Sequence, residues 1–200
     1  MRAFPIIMSS PSGGGKTTVI QKVLEQDTTL ARVVTATTRA PRKGEKNGKD
    51  YHFWTEKQFL TAVKKDQMLE WAHVHTSYYG IPKSSVESLL KKGICPVLVI
   101  DVQGAQTLAG KYPQAVKIFL MPPSMAVLKK RLLARNDNTQ DVELRLKTAK
   151  KEVKEIPYYD YLVLNDSLQD AVKDTLAIIR AEQLKTIRYS KQDLTKFSKR

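Results

Sequence analysis

The chain has 200 residues, 42% apolar and 27% charged, a balance that suits one folded domain and excludes a wholly disordered chain. Its 34 Lys+Arg against 20 Asp+Glu give a formal charge of +14, so anionic partners are expected. No apolar run approaches the roughly 20 residues of a membrane span, and the first residues lack a signal-peptide pattern. The single Cys95 excludes an internal disulfide and argues against a cysteine-built metal site, so a cytoplasmic setting with no membrane partner is expected.

In chain order, residues 4–9 (FPIIMS) read as a short buried strand, and a glycine-rich turn follows at 11–15. From Thr17, Val19, Ile20, Val23 and Leu24 recur at helical spacing. Residues 32–37 are a second strand candidate, followed by a polar loop over 39–50 with five basic and two acidic side chains. Thr55 and Gln58 form a capping-box pattern opening a helix that buries Phe59, Leu60 and Val63. Residues 68–79 alternate as strand or hairpin, 84–92 form a short helix closed by Gly93, and 96–100 (PVLVI) read as a central parallel strand ending at Asp101. Residues 116–120 are another such strand. Ser124 caps a long basic helix, 141–156 form a further helix, 161–164 a strand and 167–188 a final helix. Strands alternating with helices predict an α/β fold with a parallel central sheet flanked by helices. The segment 35–82 breaks the alternation and predicts a mixed, β-rich insert that closes over a ligand. The basic tail 185–200 reads as a solvated end, and aromatics do not interleave with basic residues, so no nucleic-acid partner is expected.

Residues 10–17, Ser10-Pro11-Ser12-Gly13-Gly14-Gly15-Lys16-Thr17, fit the phosphate-loop pattern G-x-x-x-x-G-K-[ST], with Ser10 in place of the first glycine. The loop lies between a strand and a helix, as that motif requires. Glycines let backbone N–H groups converge on phosphate oxygens, and the helix N-terminus adds a favourable dipole. Lys16 can reach the terminal phosphates of a nucleotide, and the Thr17 hydroxyl can coordinate Mg²⁺.

With that loop, Thr37-Thr38-Arg39-Ala40-Pro41-Arg42, Gly44-Glu45-Lys46-Asn47-Gly48-Lys49-Asp50-Tyr51-His52-Phe53, Leu69-Glu70-Trp71-Ala72, Tyr78-Tyr79-Gly80, Asp101-Val102-Gln103-Gly104 and Asn165-Asp166 resemble the guanylate kinases, in family order from residue 6 to about 166. The resemblance implies a P-loop nucleoside monophosphate kinase fold. Its core would comprise 1–34, 83–123 and 150–200, with a GMP-binding insert at 35–82 and a helical lid at 124–149. It implies transfer of the ATP γ-phosphoryl group to GMP, or dGMP, with Mg²⁺, by a monomer or homodimer. It assigns Ser10, Pro11, Ser12, Gly13, Gly14, Gly15, Lys16, Thr17, Thr18 and Asn165 to ATP. Thr35, Arg39, Arg42, Tyr51, Glu70, Tyr79 and Asp101 are assigned to GMP, and Lys16, Arg131, Arg135 and Arg145 to the transferred phosphoryl group.

The chemistry of these residues agrees with that assignment. Arginines such as Arg39 and Arg42 match a phosphate dianion by forked, charge-assisted hydrogen bonds. Guanine offers adjacent N–H donors that one carboxylate, such as Glu70, accepts together, whereas adenine presents a bare acceptor there. Arg131 and Arg135 are four apart on one helix face, with Arg145 on the next helix, so a moving lid could bring guanidiniums over the phosphates. Ile81-Pro82 follows Gly80 where the family has a small hydroxyl residue, Val99 stands where many members carry an acid, and the lid loop is one residue short. Two other readings are a non-catalytic protein-binding module of the same fold and a kinase for another nucleoside monophosphate. The retained glycines, lysine and arginines argue against the first, and Glu70 with Asp101 against adenine. His52, His73 and His75 lack the further ligands of a metal site. Trp54 and Trp71 read as packing, Cys95 as an inert hydrophobe, and Asn165 and Asp166 also suit a helix cap before Ser167.

Overall fold

The computed structural model describes residues 2–74, 76–134, 139–190 and 195. The chain runs β1 (Ile6–Ser9), α1 (Lys16–Gln26), β2 (Leu30–Arg32), β3 (Ala36–Thr37), β4 (His52–Phe53), α2 (Glu56–Lys64), β5 (Met68–Val74) and β6 (Ser77–Pro82). It continues as α3 (Lys83–Lys91), β7 (Cys95–Val99), α4 (Val102–Lys111), β8 (Val116–Met121), α5 (Met125–Leu133), α6 (Thr139–Glu152), β9 (Tyr161–Leu164) and α7 (Leu168–Gln183).

Five strands form one parallel sheet in the order β2-β7-β1-β8-β9. The central β1 is apolar on both faces because both are covered. Ile6 and Met8 pack with Val19, Ile20 and Val23 of α1 and Ala171, Val172 and Ile179 of α7. Ile7 faces the other way, onto Val86 of α3 and Ala105 and Leu108 of α4. Burial pushes the Cys95 thiol pKa up, in keeping with an unreactive core residue. Arg188, also buried, lies 3.8 Å over the Phe4 ring and donates to Glu182 and to the Gln114 carbonyl. That pair fastens the end of the described chain to its start. Among the described residues no helix is long and apolar enough to cross a membrane.

A second sheet, order β4-β3-β6-β5, is mixed: β3 and β4 run parallel, while β6 is antiparallel to both its neighbours. Phe59, Ala62 and Met68 give it a small core of its own. Leu69 and Ile81 leave that core and pack with Ile7, Val33 and Leu98 under the main sheet, which joins the two layers.

Several boundaries differ from the sequence expectation. The expected strand 32–37 spans a break instead: it overlaps the last residue of β2, in the main sheet, and all of β3, in the small one. Val33 N–H still donates to Val97 O, whereas Thr35 O accepts from His52 N–H, so the chain changes sheet between them. The capping box of Thr55 and Gln58 forms as expected, but Phe59 and Ala62 are the buried side chains of α2, with Leu60 and Val63 half-buried. Helix α4 was not foreseen. Its few large apolar residues hide the helical period, and Asp101, at the strand's end and suited by sequence to a helix cap as well as to guanine, caps it by accepting from Gly104 N–H at 2.8 Å. Helix α5 is nine residues, not long. Helix α6 stops at Glu152, where a 3₁₀ turn carrying Pro157 replaces it, and α7 ends at Gln183 rather than 188.

Candidate active site

The phosphate loop leaves the carboxyl end of the central strand, where open parallel sheets place ligands. Gly13 and Gly15 adopt φ of 85° and 94°, the left-handed region that a side chain resists. Space also demands them: a Cβ on Gly15 would overlap the Asn165 amide, and one on Gly13 would lie 2.9 Å from Leu132 of α5. Ser10, in place of the first glycine, is buried and turns its hydroxyl back to Pro11 O at 3.0 Å, so it leaves the loop mouth clear. Thr17 and Thr18 are exposed on the first turn of α1. Lys16 Nζ donates to the Ser10 carbonyl, folding the ammonium over the loop. Burial lowers its pKa, while Glu152 and Asp101 oppose that shift.

Asn165 is 6% exposed and donates from Nδ2 to Gly14 O at 2.8 Å. It is therefore not a cap for α7, a role that Ser167 fills by accepting from Asp170 N–H. Arg131 donates to Asn165 O at 3.0 Å, and Arg145 donates to the Ser12 hydroxyl at 3.3 Å. Two of the arginines expected to act from a lid thus touch the loop or its support. Arg135 lies outside the described residues, as does His75.

Across the cleft, a cavity of about 260 Å³ is lined by Thr35, Tyr51, Glu70, Tyr79, Val99 and Asp101, among others. Arg39 and Arg42 do not line it. Arg39 stands beside it, with its guanidinium 5.4 Å from the Tyr51 ring centre, and Arg42 is exposed. The Arg39 guanidinium forks onto Glu45 at 2.9 and 3.0 Å and donates to Ala40 O at 2.7 Å. These bonds use the NH1/NH2 edge, and Tyr79 makes a side-chain hydrogen bond with the same guanidinium. The fork holds Glu45 below the usual carboxylate range, helped by the Arg42 N–H that donates to the same carboxylate.

Glu70 owes its position to a bulge. Strand β5 pairs Met68 with Pro82 and then Glu70 with Ile81, so Leu69 is the extra residue, sent into the core while Glu70 turns to the cavity. Its carboxylate rests on the first turn of α4 where Gly104 leaves room, since a Cβ there would overlap it. Glu70 Oε2 is buried with no hydrogen-bond partner among the described residues. Burial, then the neighbouring Asp101, push its pKa up. The site therefore holds a largely desolvated acceptor that faces the cavity without a partner among the described residues.

Sequence reasoning missed Glu45, Gly104, Glu152 and Tyr159. Glu45 and Gly104 sat inside quoted motifs, so the signal was present without a role. Glu152 is a half-buried acid on a basic helix; burial raises its pKa and Lys16 draws it down. The Tyr159 hydroxyl is pushed up to about 12, chiefly by burial, with Asp101 and Glu152 adding to it. Trp54 packs on Phe59, as expected, while Trp71 is 46% exposed. Among the described residues no group of three or more His, Cys, Asp and Glu could hold a metal ion.

A family model described as guanylate kinase matches residues 2–182. The chain is 45% identical over 185 residues to the guanylate kinase of Wolbachia pipientis wMel, covering 92% of each chain. It is 42% identical over 189 residues to that of Thermotoga maritima, covering 94% of this chain and 91% of the relative. The crystal structure of guanylate kinase from Anaplasma phagocytophilum superposes with a TM-score of 0.74 at 36% identity, covering 94% of this chain and 89% of that one. The phosphate loop, the adjoining acid-lined cavity and these likenesses agree: the chain belongs to the guanylate kinase family.

Proposed function

We propose that this protein transfers the γ-phosphoryl group of ATP to GMP, giving ADP and GDP, with dGMP as an alternative acceptor. The observation that carries the acceptor assignment is Glu70: a buried carboxylate oxygen without a partner among the described residues, beside Asp101, in a cavity shared with two tyrosines. Such an acceptor pair suits the N1–H and N2–H₂ donors of guanine and is left opposed by adenine's N1.

The roles follow from position. Backbone N–H groups of 13–17 and the start of α1 cradle the ATP phosphates, with the Lys16 ammonium beside them. Lys16 exchanges the Ser10 carbonyl for phosphate oxygens when ATP binds. Asn165 holds the loop by its Gly14 bond and lies at the rim expected for the ATP base. Arg39, Arg42, Tyr51 and Tyr79 hold the GMP phosphate, with Arg39 aimed by Glu45. Thr35, Glu70 and Asp101 face guanine. Arg131, Arg145 and Arg135 neutralise charge on the transferring group, and no general base is required because the acceptor is already an anionic phosphate. Closure of the insert and the lid brings the two halves together and excludes water.

The donor set fits Mg²⁺ carried in by ATP rather than a resident metal. The described residues form no acidic cage, while the Thr17 hydroxyl is exposed beside the phosphate loop. Bound with ATP, the ion would neutralise phosphate charge, with Thr17 as its protein ligand.

A coupled assay with ATP against GMP, dGMP, AMP, CMP and UMP, with and without Mg²⁺, tests the reading. GMP turning over fastest, and only with Mg²⁺, is expected. A preference for AMP, CMP or UMP refutes the acceptor assignment.

A further inference from the structure

Two cavities meet beside the site. The first, of about 260 Å³, holds the two tyrosines, Glu70 and Asp101. The second, of about 500 Å³, lies between α1 and the insert and is lined by Thr17, Gln21, Lys49 and Asp50, among others. Arg32 and Val99 line both, and so mark the passage from one to the other.

Arg32 is the last residue of β2, paired with Val97 in the main sheet. Arg32 is exposed at the strand's end, between buried Leu30 and Val33, and its place in both cavity walls puts it at the cleft. It makes no ion pair or side-chain hydrogen bond among the described residues, although four acids line the two cavities. Each is engaged or placed elsewhere. Glu25 takes Lys22 at 2.7 Å, Asp50 accepts from Lys46 N–H at 2.7 Å, Asp101 caps α4, and Glu70 lies on the α4 turn. Three other arginines near the cleft differ, while Arg42 is exposed on the loop 39–50. Arg39 is clamped by Glu45, Arg131 donates to Asn165 O, and Arg145 to Ser12. With Val99 beside it, no acid balances Arg32 at this passage.

We infer that Arg32 is a further binding residue for the acceptor, contacting the phosphate of the nucleoside monophosphate from the core side, opposite Arg39, Tyr51 and Tyr79. The inference rests on the acceptor reading above. A guanidinium stays charged across the working pH range and offers a planar fork to phosphate oxygens. A phosphate held by the tyrosines and directed toward Thr17 and the ATP phosphates passes Arg32. The core thus supplies a fixed cation where the insert supplies movable ones.

The test compares wild type with Arg32→Gln, Arg32→Ala and Arg32→Lys, by steady-state kinetics and by calorimetric binding of GMP, dGMP and guanosine. Arg32→Gln and Arg32→Ala are expected to raise the KM and Kd for GMP about tenfold, with a much smaller fall in kcat. The KM for ATP and the melting temperature should stay near wild type, and Arg32→Lys should recover part of the loss. The dGMP loss should equal that for GMP, guanosine should show none, and the effect should shrink as salt rises. Unchanged GMP affinity, or an equal loss on guanosine, overturns the inference. A loss seen with GMP but not dGMP places the contact on the ribose 2′-hydroxyl and overturns it too. If wild type fails to phosphorylate GMP at all, the acceptor reading fails first, and that result is separate from the arginine comparison.

Discussion

The phosphate loop and the basic loop 39–50, both proposed to bind phosphate, are built in opposite ways. The phosphate loop is held by parts of the chain far from it: Asn165 grips Gly14, and Leu128 and Leu132 of α5 crowd Gly13. The insert loop 39–50 is held by neighbours in sequence. Arg39 forks to Glu45, Arg42 N–H donates to Glu45, and Lys46 N–H donates to Asp50. Its Gly44 and Gly48 have positive φ but open space around them. A site fixed by long-range packing is stiff, whereas one fixed by local polar contacts can travel as a unit. On the proposed reading the donor nucleotide would meet a preformed cradle and the acceptor a part free to move.

The contrast is broken most severely at Lys16. Lys16→Ala should lower kcat about a thousandfold in single-turnover assays, with an unchanged far-ultraviolet spectrum. Near-normal turnover would remove Lys16 from the transfer step. Next comes Glu70→Gln, expected to lower kcat/KM for GMP about a hundredfold and to narrow the preference over AMP.

Glu70 also gives a stability signature. Its folded pKa is raised by burial and by Asp101, so its ionised form opposes folding. The favourable effect of the protonated form is complete below the ordinary carboxylate pKa and is lost as pH rises through the raised value. Glu70→Gln should therefore melt higher than wild type at neutral pH, and the gap should close on acidification. An equal or lower melting temperature at neutral pH would mean that the carboxylate is not held at a cost.

Paired glycine replacements then measure the stiffness difference itself. Gly15→Ala combines a positive φ with overlap on Asn165 and should cost about 2–4 kcal/mol in denaturant titrations. Gly48→Ala meets only the backbone preference and should cost about 1 kcal/mol. Equal costs would erase the distinction between the two loops. The smallest effect is expected at Glu45. Glu45→Gln should raise the KM for GMP about fivefold while leaving the KM for ATP near wild type, because it loosens the aim of Arg39 without removing it.

The loops also differ in how far the sequence reveals them. The phosphate loop was legible because its pattern is local: glycines, lysine and threonine at fixed spacing between a strand and a helix. Strands β1, β8 and β9 were legible as apolar runs, and the Thr55 cap as a four-residue code. The strand pair β2 and β3 was merged, because the change of sheet at Val33–Thr35 is set by partners at Val97 and His52, not by the residues themselves. Helix α4 was missed because Gly104, Ala105 and Ala109 give little periodic signal, and its cap residue carried another expected role. Asn165 drew two readings, and only the fold brings Gly14 within its reach. The free state of Arg32 is likewise invisible in a list of residues, since it depends on four acids being engaged elsewhere.

One cleft would pass a phosphoryl group from ATP to a guanine nucleotide. The most direct measurement is a single-turnover competition: excess enzyme, Mg²⁺, γ-labelled ATP and an equimolar mixture of GMP, AMP, CMP and UMP. The label should appear in GDP, and Lys16→Ala should slow its appearance about a thousandfold. Label in another diphosphate, or released as inorganic phosphate while GMP stays unmodified, would contradict it.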